Sequence, residues 1–504
     1  MQIVARLSEL DDGCITKAKV GASDVVIVRD GMVVNVFGAT CPHAGAPLAE
    51  GALCRHKLIC PWHKATFCVR DGSVLEPPAL DALPRYRVRI DDDDVWVSPE
   101  PISSEREPQH LDGRTVLILG SGAGGTAAAV ALREVGFASR ITLIGDEALE
   151  PYDRTALSKF VLADMPPSEV EPLRRDAYWT THHIDRLTAT ITRVDAASRQ
   201  VHLADSSVLP YDAAVLATGA IPRVPKLPGA TLAGVHTLRN RPDAAAIVAR
   251  ASRGARAVIV GSSFIGLEAA SALHERGVQV TVVSPESIPF AKQFGPEIGA
   301  MFRRQHEAHG TAFRLETEVE AIDGTEQANA VHLKGGEVLP ADLVILGVGV
   351  SPATGFVHGV RKADDGGILV DSTLRAADGL YVVGDAACFP FGDTHVRIEH
   401  WRVAQQHGRI AGLNIAGTSS HYQSVPFFWT YHFGHRFEYL GHAEKWDRIH
   451  IDGALDEPRF VALQIQGEHV VGVIACQRED TTAKLIELMR EPLKAPEAMR
   501  LLAG

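Results

Sequence analysis

No stretch of this 504-residue chain runs for the roughly 18 apolar residues that a membrane-crossing helix needs. The opening MQIVARLSELDDG lacks a basic segment leading into an apolar one, which argues against a secretory signal. Positive charge is in deficit: 50 lysines and arginines face 62 aspartates and glutamates, for a net charge of −12. That balance argues against a nucleic-acid or anionic-membrane partner. Cysteine is scarce as well. Seven residues, an odd number scattered over a long chain, form no disulfide framework; they fit a reducing, cytoplasmic setting in which cysteine serves as a metal ligand or small core residue.

What is present is ordinary in bulk and specific in pattern. Hydrophobic residues make up 46% and charged residues 22%, as in a typical globular protein. The length exceeds one core, so three or four domains are expected. Residues 1–98 read as short β segments (VVIVRDG, VVNVFG, YRVRI, VWV) between Gly- and Asp-rich turns. Residues 99–112, PEPISSEREPQHLD, contain three prolines and no periodicity, which marks a linker. The pattern then turns α/β. Strand RTVLILG leads through GSGAGG into a helix and on to strand ITLIG, and the order recurs at ARAVIVGSSFIGLEAASALHERG followed by VQVTVVS. Two copies of this unit predict two nucleotide-binding domains. From about residue 419 the chain is strand-like and aromatic (FFWTYHFG, FEYLGHA, HVVGVIA), which fits an antiparallel sheet.

Two short segments carry metal-ligand chemistry. Cys41-Pro-His43 and Cys60-Pro-Trp-His63 are separated by 16 residues. Zinc fingers pair Cys with Cys at one end and His with His at the other; here each loop carries one of each. Two thiolates and two imidazoles divided in this way are the ligand set of a Rieske [2Fe–2S] cluster. His43 and His63 are expected to keep a ring edge near solvent, as the exit for an electron. Cys14, Cys54 and Cys68 read as buried small residues.

The two turns differ in quality. Gly120-Ser-Gly122-Ala-Gly124-Gly125 follows a strand and opens a helix. The first glycine makes the turn, the second lets a pyrophosphate approach, and Gly125 allows close helix–strand packing. Asp146, 26 residues after Gly120 at the end of the next strand, stands where a ribose-binding acid belongs. The second turn, Gly261-Ser-Ser263-Phe-Ile-Gly266, has serine in place of the middle glycine. Its hydroxyl would either crowd a pyrophosphate or hydrogen-bond it. Ser284 occupies the usual acid position, Glu286 follows two residues on, and no Arg or Lys lies between 284 and 291. These features tilt the second site towards NADH over NADPH.

Residues 1–98 resemble the Rieske family, and GSVLEPPAL resembles its cluster-covering proline loop. High-potential members carry an additional cysteine after each ligand pair. Ala46 and Trp62 stand at those positions here, so the resemblance is to the low-potential carriers that serve oxygenases. Pro151-Tyr-Asp-Arg154, Leu157-Ser-Lys159, Ala217-Thr218-Gly219, Tyr381-Val-Val-Gly384-Asp385 and Arg397-Ile-Glu-His-Trp401 resemble FAD-dependent ferredoxin reductases of the glutathione-reductase superfamily, and also apoptosis-inducing-factor-like flavoproteins.

The resemblance implies a Rieske domain over 1–98, a linker over 99–112 and an FAD-binding domain over 113–241 and 363–418. An NAD(P)H-binding domain over 242–362 and a C-terminal α+β domain over 419–504 complete it. It places Asp385 against the flavin ribitol and phosphate, Arg154 and Lys159 beside the flavin, Lys159 near N5 and paired with Glu268, and Trp401 at the ring. The disulfide-reductase pair Cys-x₄-Cys is absent from 147–165, and Cys388 reads as packing. The implied activity is electron transfer from NADH or NADPH through FAD to the [2Fe–2S] cluster and on to a ferredoxin, an oxygenase or a cytochrome. The alternative is a redox-dependent binding factor with slow turnover.

Overall fold

The computed structural model describes residues 1–102 and 113–503. In the N-terminal region a six-stranded antiparallel sheet runs in the order Gln2–Arg6, Asp94–Ile102, Arg85–Asp91, Val33–Gly38, Ser23–Asp30, Ile15–Val20. A second sheet of four short strands, Ala52–Cys54, Lys57–Ile59, Thr66–Cys68 and Val74–Glu76, carries the Cys60 loop, and the Cys41 loop joins the first sheet to it. The run Val25-Val-Ile-Val28 is apolar throughout because both of its faces are covered. Val25 and Ile27 join a core with Tyr86, Val95 and Val97. Val26 and Val28 join a separate core with Phe37, Leu58 and Phe67, beneath the ligand loops. Of the stretch read as a linker, residues 99–102 complete the strand Asp94–Ile102, and 103–112 lie outside the described residues.

Two parallel sheets follow. The first is ordered Ile184–Thr188, Arg140–Gly145, Thr115–Leu119, Ala213–Leu216, Leu380–Val382, with Arg375–Ala377 antiparallel at its edge. The second is ordered Val235–His236, Leu343–Leu346, Arg256–Val260, Gln279–Val283, Ala312–Arg314. Their central strands are buried along nearly their whole length and read as continuous Val/Ile/Leu runs. The helix Ala123–Glu134 crosses Trp401–Ile415 closely: a Cβ at Gly408 would overlap the Gly124 carbonyl, and one at Gly412 would lie 2.8 Å from that of Ala128.

The C-terminal region is a five-stranded antiparallel sheet, Phe427–His432, His435–Gly441, His469–Cys476, Arg459–Gln466, Arg448–Ala454, with helices Glu479–Leu488 and Ala495–Leu502. The protein is therefore multidomain: an all-β N-terminal unit, two Rossmann-like α/β units and an α+β unit. The N-terminal unit is not a loose appendage. Its Ala52 and Ile59 belong to the same core as Phe427, Val461, Leu463 and Leu485.

Candidate functional site

Cys41 follows the strand Val33–Gly38, and its loop is closed by the Cys41 N–H on the Ala46 carbonyl at 2.8 Å. Cys60 follows Lys57–Ile59 and is closed in the same way by its N–H on the Ala65 carbonyl, also at 2.8 Å. Both loops therefore present their cysteine inward, where each sulfur is buried, and their histidine one turn further out. The four donors gather in two pairs. Cys41 and Cys60 share a thiol hydrogen bond, and the Nδ1 atoms of His43 and His63 face each other at 3.1 Å. Among the described residues no three His, Cys, Asp or Glu side chains converge on one point, as a single metal ion would require. A two-iron cluster, one iron held by the thiolates and one by the imidazoles, fits this division.

The hydrogen bond from Cys41 pushes the Cys60 thiol down to about 7, assisted by the Trp62 and His63 N–H groups and the Lys64 charge; its counterpart pushes Cys41 up. Burial holds both imidazoles below their usual range, which favours the neutral form that binds metal. Every cysteine is free, and Ala46 and Trp62 leave no bridge between the loops. Cys14 is exposed and Cys54 and Cys68 are half-buried, contrary to the expectation of burial, because each lies at a turn or strand end outside the two cores. Cys388 is buried in the strand Ala387–Phe391, away from the cavity described next.

A cavity of about 740 Å³ opens at the carboxyl ends of the first parallel sheet. Its wall brings together Gly120, Gly122, Asp146, Arg154, Lys159, Thr218, Gly219, Glu268, Gly384, Asp385 and Trp401. Gly120, at φ +114°, passes so close to Ala217 that a Cβ would overlap the carbonyl of that residue; a Cβ at Gly122 would meet nothing within 4 Å, and that open space is part of the cavity. Gly125 packs under the Gly120 carbonyl and outside the cavity. Glu147 rather than Asp146 is committed: it accepts from Arg154 Nη2 at 2.5 Å and from the Tyr152 hydroxyl at 2.8 Å. Lys159 Nζ donates to Glu268 Oε2 at 3.1 Å, both buried.

At the cavity wall the Trp401 indole N–H and His400 Nδ1 are buried without a partner among the described residues. A cavity of this volume, lined by a glycine-rich helix start and by unpartnered polar atoms of aromatic side chains, suits a dinucleotide bearing a heteroaromatic ring, as FAD does. FAD bound there supplies the means to accept a hydride and release single electrons.

The second glycine turn lies outside the cavity, but its helix Phe264–Glu275 reaches into it through Phe264, Ile265 and Glu268. Gly261 and Gly266 pack as their counterparts do: a Cβ added to the first would lie 2.5 Å from the Gly347 carbonyl oxygen. The Ser263 hydroxyl has a role in the helix itself. It turns back to accept the Gly266 N–H at 3.2 Å and caps the helix. Glu286 lies beside the turn, 3.2 Å from the Ser262 hydroxyl, which also contacts Ser284 at 2.8 Å. Lys292, just past the stretch free of basic residues, pairs with Glu286 at 3.2 Å.

Two wall residues, Arg239 and Trp429, escaped the sequence reading, and a third, His400, was quoted there only as part of a motif. Arg239, pushed below its usual range by burial, lies 3.7 Å from Asp385; no motif marks it. His400 precedes Trp401. Trp429 sits in the aromatic segment read as sheet core, yet its ring lies 4.3 Å from that of His63 and 5.8 Å from Lys159 Nζ. His43 and His63 are both half-buried, and His63 in addition meets the ring of Trp429, a residue of the cavity wall.

Residues 1–87 match the Rieske [2Fe-2S] domain family, and residues 114–408 match the pyridine nucleotide-disulphide oxidoreductase family. The chain belongs to the pyridine nucleotide-disulphide oxidoreductases, with a Rieske domain ahead of the reductase. It is 32% identical to human apoptosis-inducing factor 3 over 96% of its own length and 83% of the relative's. It is 34% identical to rhodocoxin reductase of Rhodococcus erythropolis over 76% and 92%. A crystal structure of the covalent putidaredoxin reductase–putidaredoxin complex superposes with a TM-score of 0.73 at 28% identity, covering 78% of this chain and 96% of that one. The protein is an oxidoreductase that carries electrons from NAD(P)H through FAD to a Rieske cluster.

Proposed function

We propose that the cluster is reduced by the flavin of its own chain, with NADH as the preferred donor, and that it then serves a ferredoxin, an oxygenase or a cytochrome in the cytoplasm. The observation that carries this reading is the Trp429 ring, which meets His63 and lines the cavity. Lys159 and Glu268 flank the reacting end of the flavin. Gly120 and Gly122 admit its pyrophosphate over the close helix–strand packing that Gly125 allows, Asp146 holds its adenine-side ribose, and Thr218, Gly219, Gly384 and Asp385 its ribityl side, with Arg154 and Trp401 at the ring. Gly261, Gly266 and Glu286 hold the nucleotide donor; the Glu286 carboxylate favours a free 2′-hydroxyl over a 2′-phosphate. Cys41, His43, Cys60 and His63 hold the cluster. Among the described residues no helix is long and apolar enough to cross a membrane.

Anaerobic mixing with NADH, followed by rapid-freeze EPR, tests the reading. The reduced-cluster signal is expected to rise with a rate constant independent of protein concentration. A rate proportional to concentration would mean that one molecule's flavin reduces another's cluster. Relatedness to apoptosis-inducing factor 3 over 96% of the chain, the Rieske region included, supports a second reading as a slow redox-dependent binding factor. Slow ferricyanide turnover with a persistent reduced flavin would favour it.

A further inference from the structure

Two cations, one from each half of the chain, flank the His63 loop. Lys64 follows the ligand and is fully buried. Arg436 comes from the reductase half, on the strand His435–Gly441, and its Cζ stands 5.8 Å from the centre of the Trp62 ring. Trp62 precedes His63 and meets it edge-on, the ring centres 6.4 Å apart. One buried carboxylate, Glu438, serves both cations. Its Oε1 accepts from Lys64 Nζ at 3.0 Å and lies 3.6 Å from Arg436 Nε, while its Oε2 accepts from the Thr482 hydroxyl at 2.6 Å. Arg436 Nη2 donates to Glu479 at 2.9 Å, and the Glu479 side chain is 30% exposed. Arg436 Nε itself is buried without a hydrogen-bond partner among the described residues.

The arrangement leaves positive charge over. A single buried carboxylate does not neutralise two buried cations, and water screens the contribution of the more exposed Glu479. A guanidinium edge taken out of water without a partner is a cost to the fold, and its field is strong because little water lies around it to screen it. Apart from the neighbouring His43 ring, the charges acting on His63 are those of Arg436, Lys64 and Lys159, all positive; Lys159 is already paired with Glu268. The one acid that acts on the other imidazole, His43, is Asp153. Nothing in the binding of FAD or of a nucleotide calls for a cation at Arg436, which lies outside the cavity wall.

The redox step creates the charge that this field would favour. On two thiolates and two neutral imidazoles, an oxidised [2Fe–2S] cluster has no net charge: two iron(III) ions balance two sulfides and two thiolates. One electron, supplied by NAD(P)H through the flavin, turns one iron(III) into iron(II) and leaves a net charge of −1. No bond forms or breaks, and no proton moves. We propose that Arg436 sets the potential at which the cluster accepts its electron, its uncompensated charge beside the Trp62–His63 segment favouring the reduced cluster over the oxidised one. The proposal rests on the reductase reading. Arg436 acts through its field and not by contact with the reacting atoms, so it is a tuning residue and not a catalytic one. Within the low-potential class to which the missing loop cysteines point, the reductase half thereby makes the cluster a better acceptor for its own flavin than the N-terminal unit would be alone.

The test is an EPR-monitored redox titration of the full-length holoprotein with dithionite and mediators, which reads the cluster's midpoint potential without turnover. Arg436→Gln is expected to shift the balance of reduced to oxidised cluster about tenfold towards the oxidised form, which for one electron is a midpoint about 59 mV lower. Arg436→Lys keeps the charge and is expected to stay close to the wild type. Glu479→Gln removes the acid that offsets Arg436 and is expected to move the midpoint upwards. Opposite shifts from the two halves of one ion pair are the signature of charge, since damaged packing would move both variants the same way. Equal midpoints in the wild type and Arg436→Gln, shifts of the same sign in Arg436→Gln and Glu479→Gln, or an Arg436→Lys as low as Arg436→Gln would each overturn the proposal. A wild-type Rieske signal that dithionite elicits and NADH does not would instead overturn the reductase reading, and absence of any such signal would overturn both.

Discussion

Single residues set this protein's response to acid. Burial pushes the imidazoles of His400, His407 and His432 down to about 3, against about 6.5 in an unfolded chain. A lowered folded pKa means that below pH 6.5 the unfolded state binds protons the native state refuses. The stability these groups permit is therefore complete above pH 6.5 and is lost progressively as pH falls towards 3. Near pH 5 each contributes a slope of about 1.4 kcal/mol per pH unit. His407, whose Nδ1 accepts the Gly384 N–H at 3.2 Å, is the cleanest probe. His407→Gln keeps an acceptor there and should flatten the urea-derived stability profile between pH 6 and 4.5 by one such increment; an unchanged slope would mean the ring already titrates in the native state. At the cluster, Cys41→Ser should abolish the Rieske absorption and EPR signal yet retain bound flavin and NADH-dependent ferricyanide reduction. Loss of flavin as well would show that the cluster-binding unit and the reductase fold as one.

At the scale of elements, the two glycine turns show how one local design tolerates a substitution. Gly122 and Ser263 hold the same position before their helices, with φ of −74° and −73°, a region any residue adopts. The first glycine of each turn has no such freedom, at φ +114° and +104° against a neighbouring carbonyl. A middle serine is therefore a sterically permitted change that turns an uncapped helix start into a capped one. Ser263→Ala should lower stability by about 1 kcal/mol in denaturant titration, whereas Ser263→Gly should cost only a few tenths of that order. The second turn was legible from its flanking glycines. The direction of the Ser263 hydroxyl was not, since a helix cap and a phosphate contact demand the same residue at the same place.

For the whole molecule, the decisive feature is the seam between the N-terminal unit and the reductase. Arg402, fully buried, donates to Glu76 Oε2 at 2.7 Å, to the Lys64 carbonyl at 2.9 Å and to the Pro77 carbonyl at 2.8 Å. Gln406, Ser424 and Arg490 bind the same glutamate. Lys64, also fully buried, pairs with Glu438 at 3.0 Å, and Thr482 satisfies the other oxygen of that carboxylate at 2.6 Å. Arg402→Met takes from Glu76 one of its two arginines and leaves the buried Lys64 and Pro77 carbonyls without that donor, so it should destabilise the protein by about 3 kcal/mol. Calorimetry should show the lower transition, and limited proteolysis should release the N-terminal unit first. Unchanged cooperativity would mean that the apolar contacts of Ala52 and Ile59 hold the seam alone.

The sequence by itself determined the cofactors and most of the wall. Cluster ligands and glycine turns are local: Cys41, His43, Cys60 and His63 lie on short loops, and Gly120 to Gly125 form one turn, so spacing along the chain stands for spacing in the fold. It also determined the order of α and β units, through apolar periodicity that each strand and helix carries within itself. Tertiary structure alone decided that His63 meets Trp429, that Arg239 reaches Asp385, and that Arg436 lies over Trp62. Those relations join residues more than a hundred positions apart. Trp429, Arg402 and Lys64 are chemically unremarkable in a sequence. They acquire roles only when docking removes water from around them, leaving each polar group to find its partner across a domain boundary.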